Sequence, residues 1–319
     1  VLGRSLNLRR ADALGPLAAL AIACIIFGVL SPQFLTAQNL ALVLQQVMVV
    51  GVIAAGQTLV VLTAGIDLSC GLVMALASMV MGLVAVQLGL PAPVAILCGM
   101  AVAMAFGAAN GLLVARLRLP AFIVTLGTWN VALALTQLVS GSRTLSDLPR
   151  ALIVAGETFA LGDARFAWGV LVLLLVYGIA HYVLRHTASG RHLHAVGDNA
   201  EAARLAGIAS KRVLLCAYTA AGALYGLAAW LALGRTGVAD PNAGQTENLD
   251  AITAVVLGGT SLFGGRGSLV GTLIGTLIVG VLRNGLTLMG VSSLYQVLCT
   301  GVLVILAVAF DPQARRGAR

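Results

Sequence analysis

Along this chain, apolar and polar positions neither alternate with the period of a half-buried strand nor form one narrow helical stripe. They fall into long apolar runs separated by short polar breaks. A helix needs about 20 mostly apolar residues to cross a bilayer. Ten runs approach or meet that length: 14–31, 41–64, 69–89, 93–115, 121–140, 167–185, 213–234, 249–263, 268–288 and 293–310. The eighth is the weakest, ending at the Gly264-Gly265 pair. Strands of a membrane barrel would show alternating segments of about ten residues, which these runs do not. The pattern therefore predicts an all-α, polytopic membrane protein of about ten transmembrane helices, forming one domain over 1–319.

Composition supports this picture. Of 319 residues, 60% are hydrophobic and only 9% are charged. A soluble domain carries about 25% charged residues, so a soluble enzyme and a disordered chain are both disfavoured. The first run follows Arg4, Arg9 and Arg10, as a signal peptide would, but it is long and no small-residue cleavage motif follows it. It reads as a span. The chain begins at Val1, so a preceding segment is expected.

Charge sets the orientation. Cytoplasmic loops are enriched in Lys and Arg. With the N-terminus inside and alternating spans, all nineteen basic residues fall on the inner side except Arg143, Arg150, Arg165, Arg235 and Arg283. Both termini are thus expected in the cytoplasm. The net charge of +8 is spread between apolar runs without a basic face, so nucleic acid is not an expected partner. Cys24, Cys70, Cys98, Cys216 and Cys299 lack paired spacing and read as free thiols.

Two polar loops interrupt the pattern. The outer stretch 141–166 carries Asp147, Pro149, Glu157 and Asp163 and is long enough for a small docking surface. The inner stretch 186–212 is the longest polar segment. In it Asp198 precedes Glu201 as in a capping box, Ala200–Leu205 are good helix formers, and Gly207 suits a helix stop. A short helix is expected there, outside the bilayer. The sequences 60–69 and 255–262 also resemble each other: each is an apolar helix running into a Gly-containing break followed by another span. Paired breaks of this kind point to an internal repeat and to transport. Their position near the cytoplasmic side makes gates or re-entrant turns an alternative to the solute site.

Catalytic signatures are missing: no HExxH, no GxSxG, and no GxGxxG between strand and helix. Glycines such as Gly99, Gly107 and Gly111 lie inside spans and read as close helix packing. The only lysine, Lys211, lacks the glycine-rich cradle of a phosphate-binding loop. ATP, if used, must be bound elsewhere. The four histidines sit on the inner side without a ligand set, so no metal site is expected.

Polar side chains within spans are costly in lipid and so informative. A tentative substrate pathway comprises Gln45, Gln57, Asp67, Ser69, Asn110, Thr125, Thr128, Trp129, Asn130 and Asn284. Taken singly, most such residues serve helix–helix hydrogen bonds. As a set they offer neutral donors and acceptors to a polar, uncharged solute, and Trp129 offers a ring that can stack on a sugar.

Four stretches carry a resemblance. They are Leu59–Ser69 (LVVLTAGIDLS), Asn110–Val114 continuing through Leu119–Thr128 (NGLLV and LPAFIVTLGT), Thr187–Ile208 (containing GR, AVGDN and EAAR), and Val256–Gly267 (VLGG through GGRG). Together they resemble the permease subunit of sugar ABC importers of the ribose–xylose–arabinose type. Cys70 departs from the Val common there. The resemblance implies two permease subunits forming a pore, ABC ATPase subunits or a tandem ATPase that bind ATP and Mg below it, and a periplasmic sugar-binding protein above. It places the protein in the bacterial inner membrane. It implies that Asp198, Asn199, Ala200, Glu201, Ala203, Arg204 and Gly207 form a coupling helix entering a groove on the ATPase. The expected function is import of a pentose or hexose by alternating access, without enzymatic activity or a cofactor in this chain. Alternatives are a related permease for an autoinducer-like sugar or a nucleoside, a self-sufficient secondary transporter, and a purely structural membrane subunit.

Overall fold

The computed structural model describes residues 2–309. Arg315, Arg316 and Arg319, expected on the inner side, lie outside it, as do the side chains of Arg4, Arg9 and Arg10. Among the described residues there are thirteen α-helices. Ten follow the apolar runs: α1 (Leu2–Leu30), α2 (Ala37–Leu62), α3 (Cys70–Val86), α4 (Ala92–Leu117), α5 (Ala121–Ser140), α7 (Trp168–His186), α10 (Ser210–Thr236), α11 (Glu247–Leu257), α12 (Leu269–Leu288) and α13 (Ser293–Ala309). The three others occupy the polar loops: α6 (Arg150–Ile153) in the outer one, α8 (Ala188–Asp198) and α9 (Ala200–Leu205) in the inner one.

Helices α2, α4, α5, α7, α10 and α12 are long and apolar enough to cross a membrane. The expected span 249–263 is not continuous. Helix α11 has 11 residues and stops at Leu257, a rise of about 16 Å at 1.5 Å per residue, roughly half a hydrocarbon core. The cause is local. Gly258 and Gly271 press backbone against backbone, where any Cβ would collide with the facing carbonyl, and the glycine-rich segment after Leu257 turns the chain sharply.

Helix α2 is the axis of the molecule. It is apolar on all sides, as a helix buried all round must be, and Met48, Val49, Val52, Ile53, Ala54 and Ala55 are fully enclosed. Polar ties fix its neighbours: Tyr177 Oη of α7 donates to Gly51 O at 2.9 Å, and Thr58 Oγ1 meets Thr272 Oγ1 of α12 at 2.8 Å. Helices α4 and α10 pack through small residues. Gly222 and Gly226, four apart, lie on the Met100–Met104 backbone, and Gly107 and Gly111 lie on Leu215 and Tyr218. This close approach is the way apolar helices associate where lipid offers no hydrophobic drive. The glycine pattern of α4 is thus a packing surface.

The outer loop is not wholly helical, which qualifies the all-α expectation. Antiparallel strands β1 (Thr158–Leu161) and β2 (Ala164–Ala167) pair from Thr158↔Ala167 to Leu161↔Ala164. The turn between them begins at Gly162, with φ of 61°. Trp168 packs against Phe159 with the rings tilted at 41° and 4.7 Å between their centres, and Arg150 pairs with Glu157. The apolar faces of α1, α5, α7 and α13 point away from the core.

Candidate functional site

The break between α2 and α3 holds a dense cluster of buried polar side chains. Helix α2 ends where Thr63 Oγ1 turns back to Val60 O at 2.7 Å and Ala64 adopts φ of 62°. The chain then runs through Ile66, Asp67 and Leu68 without helical bonds, so its backbone groups need other partners. Helices α2, α5 and α11 supply them, while α4 and α10 close around the break. From α2, the Gln57 amide faces Asp67: its nitrogen donates to Asp67 O and to Tyr225 Oη, and its oxygen accepts from Asp67 N, all at 3.2 Å. From α5, Thr125 Oγ1 donates to Ile66 O at 3.0 Å. From α11, Asn248 Nδ2 donates to Leu68 O at 3.3 Å. From α4, Asn110 Nδ2 donates to Ser69 Oγ at 3.1 Å. Helix α10 brings the buried Tyr218 and Tyr225 to its flank, with Tyr225 Oη against the Gln57 amide.

Asp67 is fully buried. Its Oδ1 accepts from Ser69 N at 2.9 Å and Ser69 Oγ at 2.6 Å. Asp67 Oδ2, Asn110 Oδ1 and Tyr218 Oη have no hydrogen-bond partner among the described residues. Five of the ten sequence-chosen pathway residues, Gln57, Asp67, Ser69, Asn110 and Thr125, therefore meet in one place.

The other five do not join them. Gln45 lies half-buried 12 residues back along α2, about 18 Å at helical rise. Asn284 of α12 pairs reciprocally with Asn39, at 2.9 and 3.0 Å, which ties α12 to the start of α2. Thr128 bonds carbonyls of its own helix, and Trp129 packs half-buried against the core. Asn130 is exposed on α5 and bonds only Leu126 O. Sequence reasoning missed Tyr218, Tyr225 and Asn248. Tyrosines in an apolar helix look like core, and only the odd acceptor-rich break opposite them signals another use.

A second buried polar group lies between α11 and α12. Arg283 of α12 pairs with Asp250 of α11 at 2.8 Å, and Asp250 is 1% exposed. Arg283 also lines a cavity of about 450 Å³ between α11, α12 and α13, whose walls are mostly leucine and valine. The two charges lie at matching heights at the start of one expected span and the end of the next, a signal the sequence did contain.

In the inner loop, α8 lies with Leu193, Val196 and Gly197 buried and Arg191 exposed. The short helix expected at 200–207 is present as α9, but its cap differs. Asn199, not Asp198, is the N-cap: its Oδ1 accepts from Glu201 N at 3.0 Å and Ala202 N at 2.9 Å. Asp198 is the last residue of α8, because the amphipathic helix runs on to the point where Asn199 turns extended. Gly207, with φ of 86°, ends the element, and Ile208 N bonds Ala203 O at 3.0 Å. Ala203 is buried, and Arg204 Nε donates to Glu201 Oε2 at 3.0 Å on the exposed face. That bond and the guanidinium charge hold the Glu201 carboxyl below its ordinary value. Leu205 stands 76% exposed at the end of this polar helix.

Apolar spans around a central buried helix, two polar breaks and an exposed loop helix define a polytopic membrane transport component. The chain belongs to the family described as branched-chain amino acid transport system permease components, whose model matches residues 39–308. It is 47% identical over 309 residues to a fructose import permease of Rhizobium meliloti, covering 95% of this chain and 86% of the relative. It is 40% identical over 300 residues to a ribose import permease of Bacillus subtilis, covering 93% and 92%. A xylose transport permease of Haemophilus influenzae is 31% identical over 359 aligned positions, covering 94% and 96%. No solved structure matches the chain. The resemblance to sugar importer permeases therefore holds, and the chain is a transport component and not an enzyme.

Proposed function

We propose that the chain is the membrane subunit of an ATP-driven importer in a bacterial inner membrane. It passes a pentose or hexose from a periplasmic binding protein to the cytoplasm by alternating access. The observation that carries this is near-full-length similarity to permeases named for fructose, ribose and xylose. A partner ATPase binds ATP and Mg, since the single lysine here has no phosphate cradle.

Ten crossings place both termini inside, with α11 the helical part of the eighth and the non-helical chain beside it completing that crossing. A second copy completes the pore. The exposed amide of Asn130 on α5 supports that arrangement, because its helix bonds only the nitrogen among the described residues and lipid cannot solvate the oxygen. Loop 141–166 faces the binding protein, and loop 186–212 faces the ATPase. There α9 presents Glu201, Arg204 and Leu205 to a groove, with Asn199 and Gly207 fixing its ends and Asp198, Ala200 and Ala203 setting it on the protein. The cluster at the first break closes the inner end of the pathway, and Gln45 and Asn284 lie farther out.

The family's description names branched-chain amino acids, whereas the similar proteins named above are sugar permeases. Uptake assays with the cognate binding protein and ATPase separate the two. Labelled fructose, ribose or xylose is expected to accumulate and leucine is not. Leucine uptake without sugar uptake would refute the assignment.

A further inference from the structure

The end of α2 and the second break, 258–268, meet under the C-terminal half of α8. Gly265 N donates to Leu62 O at 3.0 Å, joining the two breaks directly. His194 of α8 reaches Gly265 O at 3.0 Å through Nδ1, so that nitrogen carries the hydrogen. Three residues on, Gly197 is fully enclosed, and a Cβ there would collide with Leu62 O and Gly265 N. Gly264 backs onto Ala64 and Gly197 O, with its own Cβ position 2.8 Å from that oxygen. Three backbone segments, 62–64, 197 and 264–265, thus touch without intervening side chains.

What attaches to each arm gives the contact its meaning. The first arm continues into the Asp67 cluster, which reaches α4, α5, α10 and α11 through the bonds given above. The second continues to Ser268, whose Oγ accepts from Gly271 N at 3.0 Å and starts α12. The third, α8, leads through Asn199 into α9. Tightly packed backbone transmits displacement because interiors are close-packed and stiff.

We propose that Gly197 and His194 form a transmission joint through which one movement of α9 displaces both chain breaks together. Gly197 supplies the close contact, and His194 is a positioning residue that keeps the second break attached to α8. This rests on the reading of α9 as the ATPase-docking helix and adds how its motion enters the membrane domain.

The test uses the complete complex in proteoliposomes, with ATP hydrolysis and sugar accumulation measured together. The probe is whichever of fructose, ribose and xylose the native complex accumulates. His194→Ala is expected to leave ATP hydrolysis in place while sugar moved per ATP falls about fivefold, the equilibrium weight of one lost neutral hydrogen bond. His194→Asn, whose amide nitrogen can take the place of Nδ1, is expected to restore the ratio. Gly197→Ala should uncouple more strongly, and its reading is confined to preparations with native yield and assembly. An unchanged ratio in His194→Ala, a proportional fall of hydrolysis and uptake, or failure of His194→Asn to restore the ratio would overturn the joint. Failure of the docking reading is distinguishable: Glu201→Lys and Arg204→Glu would then leave sugar-stimulated hydrolysis and uptake intact.

Discussion

Ser69 makes three hydrogen bonds inside a buried cluster, and its removal leaves two partners short. In Ser69→Ala, Asn110 Nδ2 loses its acceptor and Asp67 Oδ1 loses a donor. Unmade buried bonds cost about 1–3 kcal/mol each, so a lowered thermal midpoint in detergent is expected, with membrane insertion retained. An unchanged midpoint would show that the cluster does not hold the break. On the surface, Glu201 gives a titration prediction. Its folded-state value is depressed by Arg204, so the pair's contribution is present at neutral pH and lost as pH falls through that value. Site-labelled carboxyl resonances should place the Glu201 midpoint below the usual value of about 4.3, and Arg204→Gln should raise it. Residue identity alone made Gln57, Asp67, Ser69, Asn110 and Thr125 visible, since each is a polar group in an apolar run. The same criterion also picked Asn284, whose bond to Asn39 is a helix tie, because a sequence does not show which neutral amides already have partners.

At the scale of elements, the apolar runs located the ten main helices because lipid demands long, internally bonded segments. Ends were harder to read. Asp198 has the spacing of a capping residue, yet Asn199 does the capping, since the buried face of α8 holds Asp198 in helix. Asn199→Ala is expected to weaken α9 by about 1 kcal/mol, seen as faster hydrogen exchange across 200–205, whereas Asp198→Ala leaves exchange there unchanged. Equal effects would restore Asp198 to the capping role. The α4–α10 seam gives a sharper contrast. A side chain at Gly107 would strike the Tyr218 carbonyl, whereas Gly178 has open space around its Cβ position. Gly107→Val should therefore abolish the monodisperse folded protein in size-exclusion chromatography, and Gly178→Val should not. The short α11 was foreshadowed by the glycines that follow it, but whether they end a span or only bend it depends on the Gly258–Gly271 contact, which joins the end of α11 to the first turn of α12.

At the scale of the whole molecule, the sparse charges organise everything else. If loop 186–212 faces the ATPase as proposed, its cations lie beside the docking helix α9, and the low charge elsewhere leaves lipid or a second copy as the surroundings of the exposed apolar faces. The central claim is that this subunit moves solute only when a partner hydrolyses ATP. Its most direct test is accumulation of a labelled monosaccharide in proteoliposomes containing this chain with and without the ATPase, with binding protein outside. The account predicts uptake that requires both partners and internal ATP and that is indifferent to proton or sodium gradients. Gradient-driven accumulation by this chain alone would contradict it.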